Sequence, residues 1–231
     1  MTTATYTNIQ NSLEARLFAL EILRNVFIEE PKKEFLALMQ KEDFLGHFPF
    51  NDCNDLISEG IELINSYMNT TDVANNEAEF NKLHWDFTKL FVGPFELPAP
   101  PWESMYVKHD QMLFQQTTKD VENFYKRFQI GVGENNNEAS DHIGLQLDFI
   151  YHLTRWTYEV LTTKNEVNRY LLSEQLRFYK LHLNKFYKQF TNNVIAHAQT
   201  DYYRGFGKVL QGYLTLDYLL IEELLILSEG K

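Results

Sequence analysis

The chain has 231 residues, with 21 Lys+Arg set against 32 Asp+Glu for a formal charge of −11. This length suits one large domain or two small ones, burying roughly 70% of the unfolded surface without covalent staples. One cysteine, Cys53, excludes an internal disulfide and a Cys-based zinc cluster and suits a reducing compartment.

Glycine and proline together make up about 7% of the chain, against a typical ~12%. So little punctuation argues against an all-β fold, which needs frequent turns. The acidic balance offers no phosphate-neutralising face, so nucleic acid is not an expected partner. It would steer a basic peptide toward the protein, and it also serves plain solubility.

Residues 1–10 are polar and Thr-rich, without the charged-then-apolar order of a secretory signal, so the expected location is the cytoplasm. Helical spacing then dominates. Ile9, Leu13, Leu17, Leu20, Leu23 and Phe27 share one helix face. Pro31 marks a boundary before a helix carrying Phe35, Leu38 and Met39 inward. Asp52 is an expected N-cap for a helix burying Ile57, Ile61, Ile64 and Met68. Phe80, Leu83, Phe87 and Leu90 mark another helix.

Four of the six prolines, Pro94, Pro98, Pro100 and Pro101, then fall together. Proline fixes φ and lacks the amide hydrogen, so this segment is an extended strap and not helix. Thr117 is placed to cap a helix bearing Val121, Phe124, Tyr125 and Phe128. Residues 131–140 form a polar Asn-rich loop, a possible hinge at 130–140. Three more apolar stripes follow: Ile143 to Val160, Leu172 to Phe190, and Phe206 to Leu227. The most apolar stretch, 213–227, contains Asp217, Glu222 and Glu223 and is shorter than the ~20 residues of a membrane span. No repeat period recurs. The expectation is all-α: a single helical-bundle domain over 1–231 with a proline-rich loop and an Asn-rich loop.

Several chemistries are missing. There is no Glu-x-x-His pair, no HExxH helix, no phosphate loop of Walker type and no Gly-x-Ser-x-Gly elbow. The seven histidines show no ligand spacing, so neither a metal nor a cofactor is expected.

Two segments break the local rules. The strap, 90–104, presents Phe95, Leu97 and Trp102 beside Glu103, Ser104 and Tyr106. It either carries the chain across a bundle with Trp102 plugging the core, or offers a stiff aromatic anchor to a partner. In the second segment, 138–149, Ser140 or Asp141 can cap the next helix. Glu138, Asp141 and His142 also gather there beside Ile143 and Leu147, which suits a ligand with guanidinium groups next to an apolar run. Asp-His adjacency equally allows acid–base chemistry.

Together these segments resemble the TorD/DmsD family of cytoplasmic molybdoenzyme chaperones. The likeness rests on an LF-x-GP turn leading to APPWES-x-Y at 90–106, and on a counterpart of the family's E-P-x-DHI-x-x-EL motif at 138–149. Ala139 stands where the motif has proline, and Gln146 where it has glutamate. The resemblance implies an all-helical, non-enzymatic chaperone without a cofactor of its own. Such a protein binds the twin-arginine signal peptide and catalytic subunit of a molybdopterin oxidoreductase precursor before export. It implies a peptide site lined by Leu90, Phe91, Pro101, Trp102, Glu103, Ser104, Tyr106, Asp141 and His142, and a monomer or helix-swapped dimer. The alternatives are a helical hydrolase or nucleotide-binding protein using Asp141 and His142, and a helical adaptor using the apolar C-terminal helix.

Overall fold

The computed structural model describes residues 3–94, 96–107, 116–131 and 138–229. The expected Asn-rich hinge and Phe95 therefore fall largely or wholly outside the described residues. What is described is helical, with no strand: α1 (Thr3–Ile28), α2 (Lys33–Lys41), α3 (Asp55–Thr70), α4 (Glu77–Phe87), α5 (Gln116–Arg127), α6 (Ile143–Lys164), α7 (Arg169–Phe178), α8 (Asn184–His197) and α9 (Asp201–Leu227). π-helical turns at Thr88–Val92 and Tyr179–Leu183 continue α4 and α7. Among the described residues, no helix is long and apolar enough to cross a membrane.

Most of the apolar stripes point inward as expected. Ile9, Leu13, Leu20, Leu23, Phe27, Ile57, Ile61, Ile64 and Met68 are buried. Three local expectations change. In α2 the inward pair is Leu36 and Met39, three residues apart, while Leu38 is 44% exposed. Asp52 lies in a short 3₁₀ turn, and Asn54 caps α3 by accepting the Leu56 amide at 3.0 Å. Thr117 lies inside α5, which is already helical at Gln116.

The described chain divides into two compact units. One comprises Met1–Arg24, Trp102–Phe186 and Thr215–Lys231; the other comprises Asn25–Pro101 and Tyr187–Leu214.

The second unit packs α3 directly on α9. A Cβ built on Gly60 would lie 2.6 Å from the Gly205 carbonyl oxygen, and one on Gly205 would lie 2.6 Å from that of Gly60. Glycine at both positions is what lets the two backbones touch. The start of α9 is held by Asp86 of α4, fully buried, whose carboxylate accepts the Gln199 amide, the Thr200 amide and the Thr200 hydroxyl at 2.6–3.1 Å. These donors include amides near the α9 start that no turn of that helix can satisfy.

In the first unit, Arg16 of α1 and Asp217 of α9 form a fully buried ion pair at 2.6 Å. Arg16 also donates to Gln175 of α7 at 2.6 Å, and the Tyr179 hydroxyl donates to Asp217 at 2.7 Å. Thr154 of α6 donates to the same Gln175 oxygen at 3.1 Å. Five segments, α1, α6, α7, the second π-helical turn and α9, thus meet on one polar knot. Removing one member of a buried pair strands the other charge, so Asp217→Ala is expected to lower stability by about 3–5 kcal/mol. Asp217→Asn, which keeps an acceptor, should lose less. Urea denaturation of both variants measures the difference.

Candidate functional site

The strap and the tip of α6 meet in the first unit. Trp102 is extended, at φ −100° and ψ 134°, and forms an isolated antiparallel bridge with His142. The Glu103 amide donates to the Asp141 carbonyl at 3.1 Å, after which Glu103–Met105 make one 3₁₀ turn. The Trp102 and His142 rings stand edge to face at 6.1 Å.

Glu103 and Asp141 are both buried and bound to partners inside the protein. Asp141 accepts the Ser104 amide through Oδ2 and the Thr118 hydroxyl of α5 through Oδ1, each at 2.9 Å. It thereby caps the 3₁₀ turn. Glu103 lies 3.1 Å from the Nδ1 of His182, and it accepts the Gln146 amide at 3.2 Å. A carboxylate only accepts, so His182 presents Nδ1–H to it. The same Gln146 nitrogen donates to the Asp141 carbonyl at 3.0 Å. One internal network therefore ties strap, helix tip, α6 and the second π-helical turn together.

The cap of α6 is His142, not Ser140 or Asp141. Its Nδ1 accepts the Gly144 amide at 3.1 Å. An accepting Nδ1 must be unprotonated, and burial pushes the imidazole down to about 3. Asp141 and His142, adjacent in sequence, are thus committed to different partners, which is not the arrangement of an Asp–His general-base pair.

Several groups remain accessible on this platform. Trp102 and Tyr106 are half-buried and Met105 is 48% exposed. The Trp102 indole donates to the exposed Glu138 carboxylate at 3.3 Å. The Tyr106 ring leans on Phe186 at 5.7 Å. Glu103, Ser104, Asp141 and His142 are buried. Leu90, Phe91 and Pro101 belong to the second unit and are buried too, with Phe91 ringed by Phe27, Phe87, Phe190 and Tyr203 at 5.2–6.1 Å.

The sequence reading missed His182 and Thr118. His182 sits in a regular apolar stripe, 79 residues from its carboxylate, and no local signal joins them. In sequence Gln146 marks only the loss of a carboxylate, whereas its amide supplies hydrogen that a glutamate would lack beside Glu103.

The profile of the nitrate reductase delta subunit family matches residues 54–192, more than half of the sequence. The chain belongs to that family. Among relatives, it is 36% identical over 73 residues to the "Probable Tat proofreading chaperone DmsD" of Haemophilus influenzae, covering 32% of this chain and 36% of that one. It is 26% identical over 166 residues to the chaperone protein TorD of Aliivibrio fischeri, covering 72% and 74%. It is 29% identical over 121 residues to the Tat proofreading chaperone DmsD of Salmonella typhimurium, covering 52% and 53%. The match thus spans about a third to three quarters of these relatives, and they agree with the likeness drawn from the two motifs.

The His142 cap makes stability depend on pH. Its folded value of about 3 lies below the ordinary 6.5, so the unfolded state binds the extra proton first as pH falls. The contribution is complete above pH 6.5 and is lost on acidification toward pH 3. Urea denaturation should show a loss of about 2 kcal/mol from this group between pH 7 and pH 5. His142→Asn keeps a capping acceptor without the titration and should remove that part of the slope.

Proposed function

We propose that this protein is a system-specific, non-enzymatic chaperone acting in the cytoplasm. It binds the twin-arginine signal peptide of a molybdopterin oxidoreductase precursor and attends the catalytic subunit until its cofactor is loaded. The observation that carries this reading is the backbone bridge between Trp102 and His142, which joins the two family motifs in one surface element.

The chemistry is complementary. A twin-arginine leader carries two guanidiniums followed by an apolar run. Trp102, Met105 and Tyr106 offer accessible apolar surface, and Glu138 offers an exposed carboxylate beside the indole. Trp and Tyr make strong anchors because they bury large area at low entropic cost. The remaining residues of the expected site have a shaping role in this reading: Glu103, Ser104, Asp141 and His142 fix the platform, and Leu90, Phe91 and Pro101 are buried within the second unit. The net charge of −11 favours encounter with a basic peptide.

Calorimetric titration of a leader peptide into the full chain is the test. Trp102→Ala should weaken binding about tenfold or more, near 1.4 kcal/mol, with the thermal midpoint little changed. Replacing both leader arginines by alanine should weaken it comparably at low salt, and less at high salt. Unchanged affinity in both arms would sink the reading.

A further inference from the structure

The first unit also has an open cavity of about 320 Å³ between α5 and the α7–α8 segment. Three cations line it: Arg127, Arg177 and Lys185. Both guanidiniums stand over the Phe124 ring, at 5.2 and 5.3 Å from its centroid. Both also reach one carboxylate, Glu174, at 2.7 and 3.5 Å. Sharing a single counter-charge leaves that pair of arginines positive. Asp120 lines the cavity and accepts the Gln116 amide at 2.7 Å, so three cations stand against two carboxylates, Glu174 and Asp120. Phe124 and Leu181 supply apolar wall, and His182, 3% exposed, lines the cavity with Nδ1 held by Glu103.

A convergence of three cations is unexpected in a chain with charge −11. Three cations against two carboxylates leave an excess of positive charge at the cavity, which a further anion would neutralise. We infer that this cavity is a binding site for a phosphate group, with Arg127, Arg177 and Lys185 as donors and Phe124 and Leu181 as a seat for the carbon part of an ester. Guanidinium forks match phosphate oxygens in bidentate fashion, and Lys adds a point charge. Three donors also match the three terminal oxygens of a phosphate monoester. This site does not depend on the leader-binding reading.

Inorganic phosphate and phenyl phosphate, each titrated into the full chain at pH 7.5 and constant ionic strength, separate a free ion from an ester. Saturable binding is expected for at least one. Tighter binding of phenyl phosphate assigns the ester, and equal binding assigns the free ion. Arg177→Ala combined with Lys185→Ala, both exposed positions, should weaken binding at least tenfold with the circular dichroism spectrum unchanged. Lys188→Ala, an exposed cation over Tyr187 and outside the cavity, should leave it unaltered. No saturable binding of either anion, or equal affinity in the double variant, overturns the inference whatever the leader peptide does.

Discussion

The platform depends on two buried carboxylates, Asp141 and Glu103, that pair with no arginine or lysine among the described residues. Burying such a group is unfavourable unless hydrogen-bond donors replace its lost water. Asp141 takes its donors from the strap and α5; Glu103 takes its donors from α6 and the second π-helical turn. Proline is the reason that the strap needs such help. Pro98, Pro100 and Pro101 have no amide hydrogen, so the strap cannot anchor itself through its own backbone there. The first amides past the prolines do that work: Glu103 donates to the Asp141 carbonyl and Ser104 to its side chain.

The helices were legible because burial imposes a period on apolar residues, and the period is local. Ile57, Ile61, Ile64 and Met68 needed nothing beyond their own spacing. Polar partnerships are different. Arg16 and Asp217 are 201 positions apart, and each looks in sequence like an ordinary surface charge on an amphipathic helix. Asp217 in particular reads as an interruption of an apolar stretch, whereas it is the acceptor that the buried Arg16 requires. The cap of α6 slipped by one residue for a related reason. Asp141 is a favourable helix cap, but the Ser104 amide holds it, and His142 takes its place.

The π-helical turns were invisible for a subtler reason. Leu172, Leu176, Tyr179, Leu183, Phe186 and Phe190 step by four and three with an ordinary helical mean, and all are buried. The wider turn at Tyr179–Leu183 leaves the apolar stripe intact, so composition carries no trace of it. Yet it is the element that carries His182, whose ring closes on Glu103. π turns often occur where a side chain is needed at a position that a regular helix does not supply, and His182 fits that description.

The same physics separates two tasks that the motif residues perform. A carboxylate already holding two internal donors gains little by turning to a peptide arginine, since it would have to release them and leave buried amides unsatisfied. Asp141 and Glu103 are therefore better suited to holding the strap in place than to meeting a ligand. Glu138 is under no such constraint: it is exposed, and its one described bond is to the Trp102 indole. In the proposed complex an approaching guanidinium can share that carboxylate without breaking anything beneath it. In that proposed complex, specificity for a basic leader rests on a pair, Trp102 with Glu138, standing on a base whose carboxylates Glu103 and Asp141 are turned inward.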